Sequence, residues 1–202
     1  MRVIVIGGTG TIGSAVVKLL STRHEVVTVG HKRGTYQVDL ASPDSITSLF
    51  KTIGTCDAVV STAGIAKFAS LDDLTYDDYF IGLKNKLMGQ ANLVRIGKPF
   101  VTNHGSFTLT SGVLSQEPMK GSCAISMANA GLEGFVRAAA IDLPRSLRVN
   151  VVSPPWVTET LIARGMDPSI GLPAETVAHC YLASVEGTMT GQVIDPRKQA
   201  GK

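Results

Sequence analysis

Short apolar runs alternate with segments of helical periodicity along almost the whole chain. Residues 3–6 are apolar and β-branched, as expected of a strand buried on both faces. From Thr11 the apolar positions Ile12, Ala15, Val16, Leu19 and Leu20 repeat at helical spacing. Further strands are predicted at residues 25–29, 36–40, 57–61, 106–110, 148–153 and 192–194. Helices are predicted from Pro43 to about Ile53, with Ser42 as N-cap, and over residues 75–97, 124–142 and 174–185. Pro154-Pro155 ends the sixth strand. Strand and helix alternate throughout, which implies an α/β fold: a doubly wound parallel sheet of about seven strands with helices on both faces.

Composition changes this picture little. The chain has 202 residues, 44% hydrophobic positions and 21 glycines, which suits one α/β domain with many short turns. We therefore read a single domain over 1–202, with residues 161–172 as a mobile lid and 196–202 as a flexible tail in which Arg197, Lys198 and Lys202 are solvated. A net charge of +3 is too small and too scattered to argue for nucleic acid. Cys56, Cys123 and Cys180 lack metal-type spacing and read as buried thiols in a reducing compartment; no metal site is expected. No run reaches the length of a signal-peptide core or a membrane span, so a cytoplasmic protein is expected.

The glycine turn between the first strand and helix carries the first chemical signal. Gly7, Gly10 and Gly13 stand three apart. Such glycines allow a tight turn, close approach of backbone to a pyrophosphate, and close packing of helix on sheet, while the helix N-terminus offers free N–H groups. A tight turn that binds nothing is the bland alternative. The dinucleotide reading makes Gly7, Thr9, Gly10, Thr11 and Ile12 candidate cofactor contacts in a Rossmann-type fold. The second strand closes on His31, Lys32 and Arg33 with no acid among them, which favours the 2′-phosphate of NADP(H) over the bare ribose of NAD(H). Thr62, Ala63 and Gly64 are small residues suited to a cofactor wall.

Read together, GGTGTIG at residues 7–13, Asp39 in VDL, STAG at 61–64, LTSG at 109–112, LEGFVRAAAIDL at 132–143 and RVNVVSP at 148–154 resemble the short-chain dehydrogenase/reductase family. The resemblance covers nearly the whole chain. It implies an NAD(P)-dependent oxidoreductase, with Asp39 and Leu40 near the adenine, Ala63 and Gly64 along the nucleotide, and Pro154 and Thr158 or Thr160 near the nicotinamide. Pro155 stands where the family usually has a glycine, and Trp156 could wall a substrate pocket. The resemblance also implies a homodimer or homotetramer formed through the 75–97 and 124–142 helices.

The same resemblance exposes a break in the chemistry. The family uses a Ser to polarise the substrate oxygen, a Tyr as acid/base and a Lys four residues later to lower the Tyr pKa. Ser111 stands at the Ser position, but alignment on LEGF puts Ile125 at the Tyr position and Asn129 at the Lys position. On the preceding helix, Lys86 falls where the family carries an Asn. The exchange suggests that Lys86 and Asn129 face each other beside Ser111, with Lys86 returning the positive charge. A solvated Lys86 is the alternative. Ser126, Cys123 and Lys120 are weaker proton-transfer candidates, while Tyr79 and His104 read as structural. Three functions remain: an NADP(H)-dependent oxidoreductase acting on a small carbonyl or alcohol with a non-standard acid/base set, a catalytically silent NADP(H)-binding sensor, or a Rossmann-type scaffold for some other nucleotide.

Overall fold

The computed structural model describes residues 1–198. Seven parallel strands form one sheet: β1 (Arg2–Ile6), β2 (Glu25–Gly30), β3 (Tyr36–Gln37), β4 (Cys56–Ser61), β5 (Val101–Thr110), β6 (Arg148–Val152) and β7 (Val193–Ile194). Their order across the sheet is β3-β2-β1-β4-β5-β6-β7. The order reverses between β1 and β4, and a crevice opens there beyond the C-terminal strand ends.

Alternation along the strands assigns side chains to two cores. Ile4 and Ile6 pack with Phe50 and Leu49 of α2 (Pro43–Ile53), Leu93 of α4 (Gly89–Gly97) and Leu132 and Val136 of α5 (Cys123–Asp142). Val3 and Val5 face the other way, onto Val16 and Leu20 of α1 (Thr11–Leu20) and Val177 and Tyr181 of α7 (Ala174–Glu186). Each such fully buried aliphatic side chain contributes about 1.5–3 kcal/mol, and together they hold β1 at the centre of the molecule.

Several predicted boundaries move. β3 ends at Gln37 rather than Leu40, because the Asp39 N–H donates to Ser45 Oγ and the Asp39 carboxylate accepts from Ala41 N, turning the backbone out of the sheet. β5 begins at Val101 rather than Ser106; its first half carries a register shift against β4 and a positive φ at His104, which break the two-residue alternation. The helix predicted over residues 75–97 is three pieces: α3 (Tyr76–Gly82), a π-helical segment Leu83–Met88, and α4. Glycines 82 and 89 flank the wide turn. A side chain at Gly89 would strike Leu40, with Cβ 2.8 Å from the Leu40 Cβ.

Residues 161–172 carry local secondary structure. The helix α6 (Thr158–Ala163) and a 3-10 turn at Pro168–Ile170 fill the segment, and Val157 bridges to Leu172. Arg197 is exposed as expected, but it is held in a 3-10 turn, Pro196–Lys198, and pairs with Glu117 and Asp195 at 2.7 Å each. Lys202 lies outside the described residues. Cys56 and Cys180 are buried as expected, but Cys123 is exposed at the start of α5. Among the described residues no helix is long and apolar enough to cross a membrane.

Candidate functional site

The glycine turn is built from backbone that tolerates no side chain at two of its positions. Gly7 has φ +80°, and a Cβ there would sit 2.8 Å from Ala63 N and Thr62 Oγ1. A Cβ at Gly13 would fall 2.0 Å from the Gly7 carbonyl, so this glycine lets α1 press onto the turn. Gly10 is the N-cap of α1 and brings no side-chain acceptor; the first intrahelical bond runs from Ser14 N to Gly10 O. The N–H groups of the first turn therefore lack intrahelical acceptors and face an incoming anion. Beside them lies a cavity of about 470 Å³ lined by Gly7, Thr9, Gly10, His31, Asp39, Leu40, Thr62, Ala63 and Gly64. This combination fits the adenosine and pyrophosphate portion of a dinucleotide.

A second cavity, of about 350 Å³, shares Thr62, Gly64 and Ile65 with the first. Ile12, Lys86, Ser111, Asn129, Pro154, Trp156, Thr160 and Arg164 contribute to its wall. Lys86 is 8% exposed, and its Nζ donates to the Ser111 carbonyl at 2.9 Å. Burial alone pushes its pKa from 10.5 down to about 8. Its stem passes under Gly64, where a Cβ would meet Lys86 Cγ at 2.8 Å. Asn129 donates from Nδ2 to the Gly112 carbonyl at 3.2 Å, while its buried Oδ1 has no partner.

Comparison with known proteins identifies the family. Residues 10–193 match a family model described as enoyl-(acyl carrier protein) reductase. The chain belongs to the short-chain dehydrogenase/reductase family. Members of that family are NAD(P)-dependent oxidoreductases. Carbonyl reductase family member 4 of Danio rerio is 28% identical, covering 95% of this chain and 94% of the relative. The solved structure of the protein lin1944 from Listeria innocua superposes with a TM-score of 0.93 at 36% identity, covering 96% of this chain and 98% of that one. A small-chain dehydrogenase solved in complex with NADPH superposes with a TM-score of 0.85 at 26% identity, covering 96% and 95%.

The second cavity of this short-chain dehydrogenase/reductase lacks the tyrosine that the family resemblance leads one to expect. None of the chain's four tyrosines lines it. Tyr181 is fully buried below the sheet, where its hydroxyl meets Thr110 Oγ1 at 2.6 Å, and Ile125 occupies the wall instead. Lys86, Ser111 and Asn129 are brought together, whereas Lys120, Cys123 and Ser126 are not on the wall. Thr158 is also off it: this residue opens α6 with its N–H bonded to the Leu172 carbonyl, and Thr160 faces the cavity. Thr11, Lys32 and Arg33 line neither cavity, and Lys32 and Arg33 are exposed on the turn that follows Gly30.

Glu133, one helical turn after Asn129, is the residue that the sequence reading missed. It is 1% exposed and accepts from Ser115 Oγ at 2.6 Å, Ser111 Oγ at 3.0 Å and Ser153 Oγ at 3.3 Å, with Gln116 Nε2 at 3.4 Å on its other oxygen. A glutamate within LEGF reads locally as a solvated helix position. Only the closure of β5, β6 and α5 around it reveals a buried acceptor. The consequence for Ser111 is direct, since its single hydroxyl proton is directed to Glu133 and only lone pairs remain for a ligand.

Proposed function

We propose that the protein is an NADP(H)-dependent oxidoreductase of a small carbonyl or alcohol in which Lys86 replaces the family tyrosine as proton donor. The observation that carries this reading is a buried, carboxylate-free ammonium on the cavity wall with its pKa lowered to about 8. A general acid works best when its pKa lies near the working pH, and desolvation brings a lysine into that range.

The cofactor, when bound, supplies the hydride. Gly7, Gly10 and the first turn of α1 (Thr11, Ile12) would hold its pyrophosphate, Asp39 and Leu40 its adenine side, Ala63 and Gly64 the nucleotide between, and Pro154 and Thr160 its nicotinamide side. His31 lines the adenosine-side cavity together with Asp39, and the exposed Lys32 and Arg33 follow it on the same turn as cations for a 2′-phosphate; a structural relative has been solved in complex with NADPH. In the reductive direction Lys86 donates a proton to the reacting oxygen and becomes a neutral amine, which solvent reprotonates. Ser111 accepts rather than donates, because Glu133 takes its proton. The Ser111 carbonyl holds the Lys86 amine in place, and Asn129 closes the wall beside it.

Titration with NADPH and NADH, followed by a screen of small aldehydes and ketones, tests this reading. Tighter NADPH binding with turnover that falls as pH rises through about 8 is the expected result. Tight NADPH binding without turnover on any carbonyl would favour the silent sensor, a reading that rests on the absent tyrosine. The chain is further read as a homo-oligomer through its two long helical segments, where Ala130, Gly131 and Gly134 are exposed small residues and Met88 and Met127 exposed apolar ones.

A further inference from the structure

Lys86 and Arg164 are both on the wall of the reaction cavity, and no Asp or Glu is. Arg164, the C-cap of α6, holds its guanidinium carbon 5.5 Å from the Trp156 ring centroid, and among the described residues no carboxylate pairs with it. The Trp156 ring in turn lies 5.9 Å from that of Phe68. The two acids nearest to Arg164 in sequence are engaged elsewhere: Asp167 Oδ1 accepts from Ser169 N, and both oxygens of Glu159 accept from Ala174 N. The cavity thus presents a buried cation at Lys86, an exposed guanidinium at Arg164, and aromatic rings beside that guanidinium. A low-dielectric space lined by one sign of charge concentrates ligands of the opposite sign.

We infer that the substrate is an oxo-acid with an apolar middle, whose carboxylate pairs with Arg164 while its carbonyl oxygen meets Lys86. The inference rests on the proposed role of Lys86 and adds the substrate class. Arg164 suits the task because a planar guanidinium pairs with a carboxylate through two N–H groups and stays stacked on an indole as it does so. An anion at this cavity has a second possible source in the cofactor phosphates, but the pyrophosphate turn at Gly10 belongs to the other cavity.

Trp156 is the only tryptophan, so its fluorescence reports occupancy of this wall without any turnover. The probes are 4-oxo-4-phenylbutanoate and its neutral amide, titrated into the wild-type protein and into Arg164→Gln. The acid should bind about tenfold tighter than the amide to wild type. Arg164→Gln should remove that preference while amide and NADPH affinity stay the same, and Arg164→Lys should restore part of it. Equal binding of acid and amide, or binding of neither, overturns the inference. So does a loss in Arg164→Gln that falls on NADPH instead of the acid. Arg164-dependent binding of the acid with no NADPH oxidation would leave the anion site standing and remove the Lys86 reading; reduction of acid and amide with equal efficiency would do the reverse.

Discussion

Two buried ionisable groups reach Ser111 from opposite sides, and they are treated differently. Glu133 takes the hydroxyl proton and gathers three serine hydroxyls and an amide, so its carboxylate is thoroughly solvated by protein. Lys86 donates to a backbone carbonyl and has no carboxylate partner among the described residues, so burial pushes its pKa down to about 8. The contrast separates a group that holds geometry from a group poised to change its charge. Hydrogen-bonded burial fixes a side chain, whereas burial without a counter-charge shifts its pKa.

The largest break in this comparison is removal of the amine. Lys86→Met should lower kcat for carbonyl reduction by about 10²–10⁴, the usual worth of a positioned general acid. Steady-state kinetics on the variant checks it, and turnover equal to wild type would transfer the proton to another group.

The same variant should be more stable than wild type. A lysine with a folded pKa near 8 and an unfolded value of 10.5 binds fewer protons when folded between those values, so wild-type stability rises with pH across that window. Below about pH 8 the burial penalty is fully present. Lys86→Met should then gain up to about 3 kcal/mol in denaturant melts, and the gain should shrink as pH climbs from 8 to 10.5. A pH-independent difference would show that the ammonium is solvated.

On the other side of Ser111, Glu133→Ala leaves three serine hydroxyls without their acceptor and should cost about 2 kcal/mol by thermal melting. It should also free the Ser111 proton for a ligand, altering KM more than kcat. Glu133→Gln, which keeps an acceptor oxygen, should recover most of the stability. The smallest effect belongs far from this pair. At Gly134 a Cβ meets nothing within 4 Å, so Gly134→Glu should leave the fold intact and weaken only self-association, measured by light scattering.

Most of the fold was legible because it depends on local signals. Apolar runs, helical spacing, the Ser42 cap and the glycine turn each act within a few residues, and the alternation of strand and helix leaves few topologies. Boundaries failed where a tertiary contact overrode them. Ser45 pulls Asp39 from the sheet, His104 interrupts the alternation of β5, and the Lys86 helix widens into a π turn between two glycines. At the site, the missing Tyr and the paired change at positions 86 and 129 were visible as residue types. Glu133 was not, because nothing in its neighbours along the chain reveals that Ser111 and Ser115 after β5 and Ser153 after β6 point at it.

Sequence alone determined the layered sheet, the glycine turn between β1 and α1, and the absence of a tyrosine from the middle of the chain. These depend on residue identity and spacing along the backbone. Tertiary structure decided that Lys86 is buried rather than solvated, that Thr160 and Arg164 face the cavity, and that the Ser111 proton points to Glu133. A side chain's dielectric surroundings and hydrogen-bond partners come from segments far apart in the chain, so charge state and donor direction at this site exist only once those segments have packed.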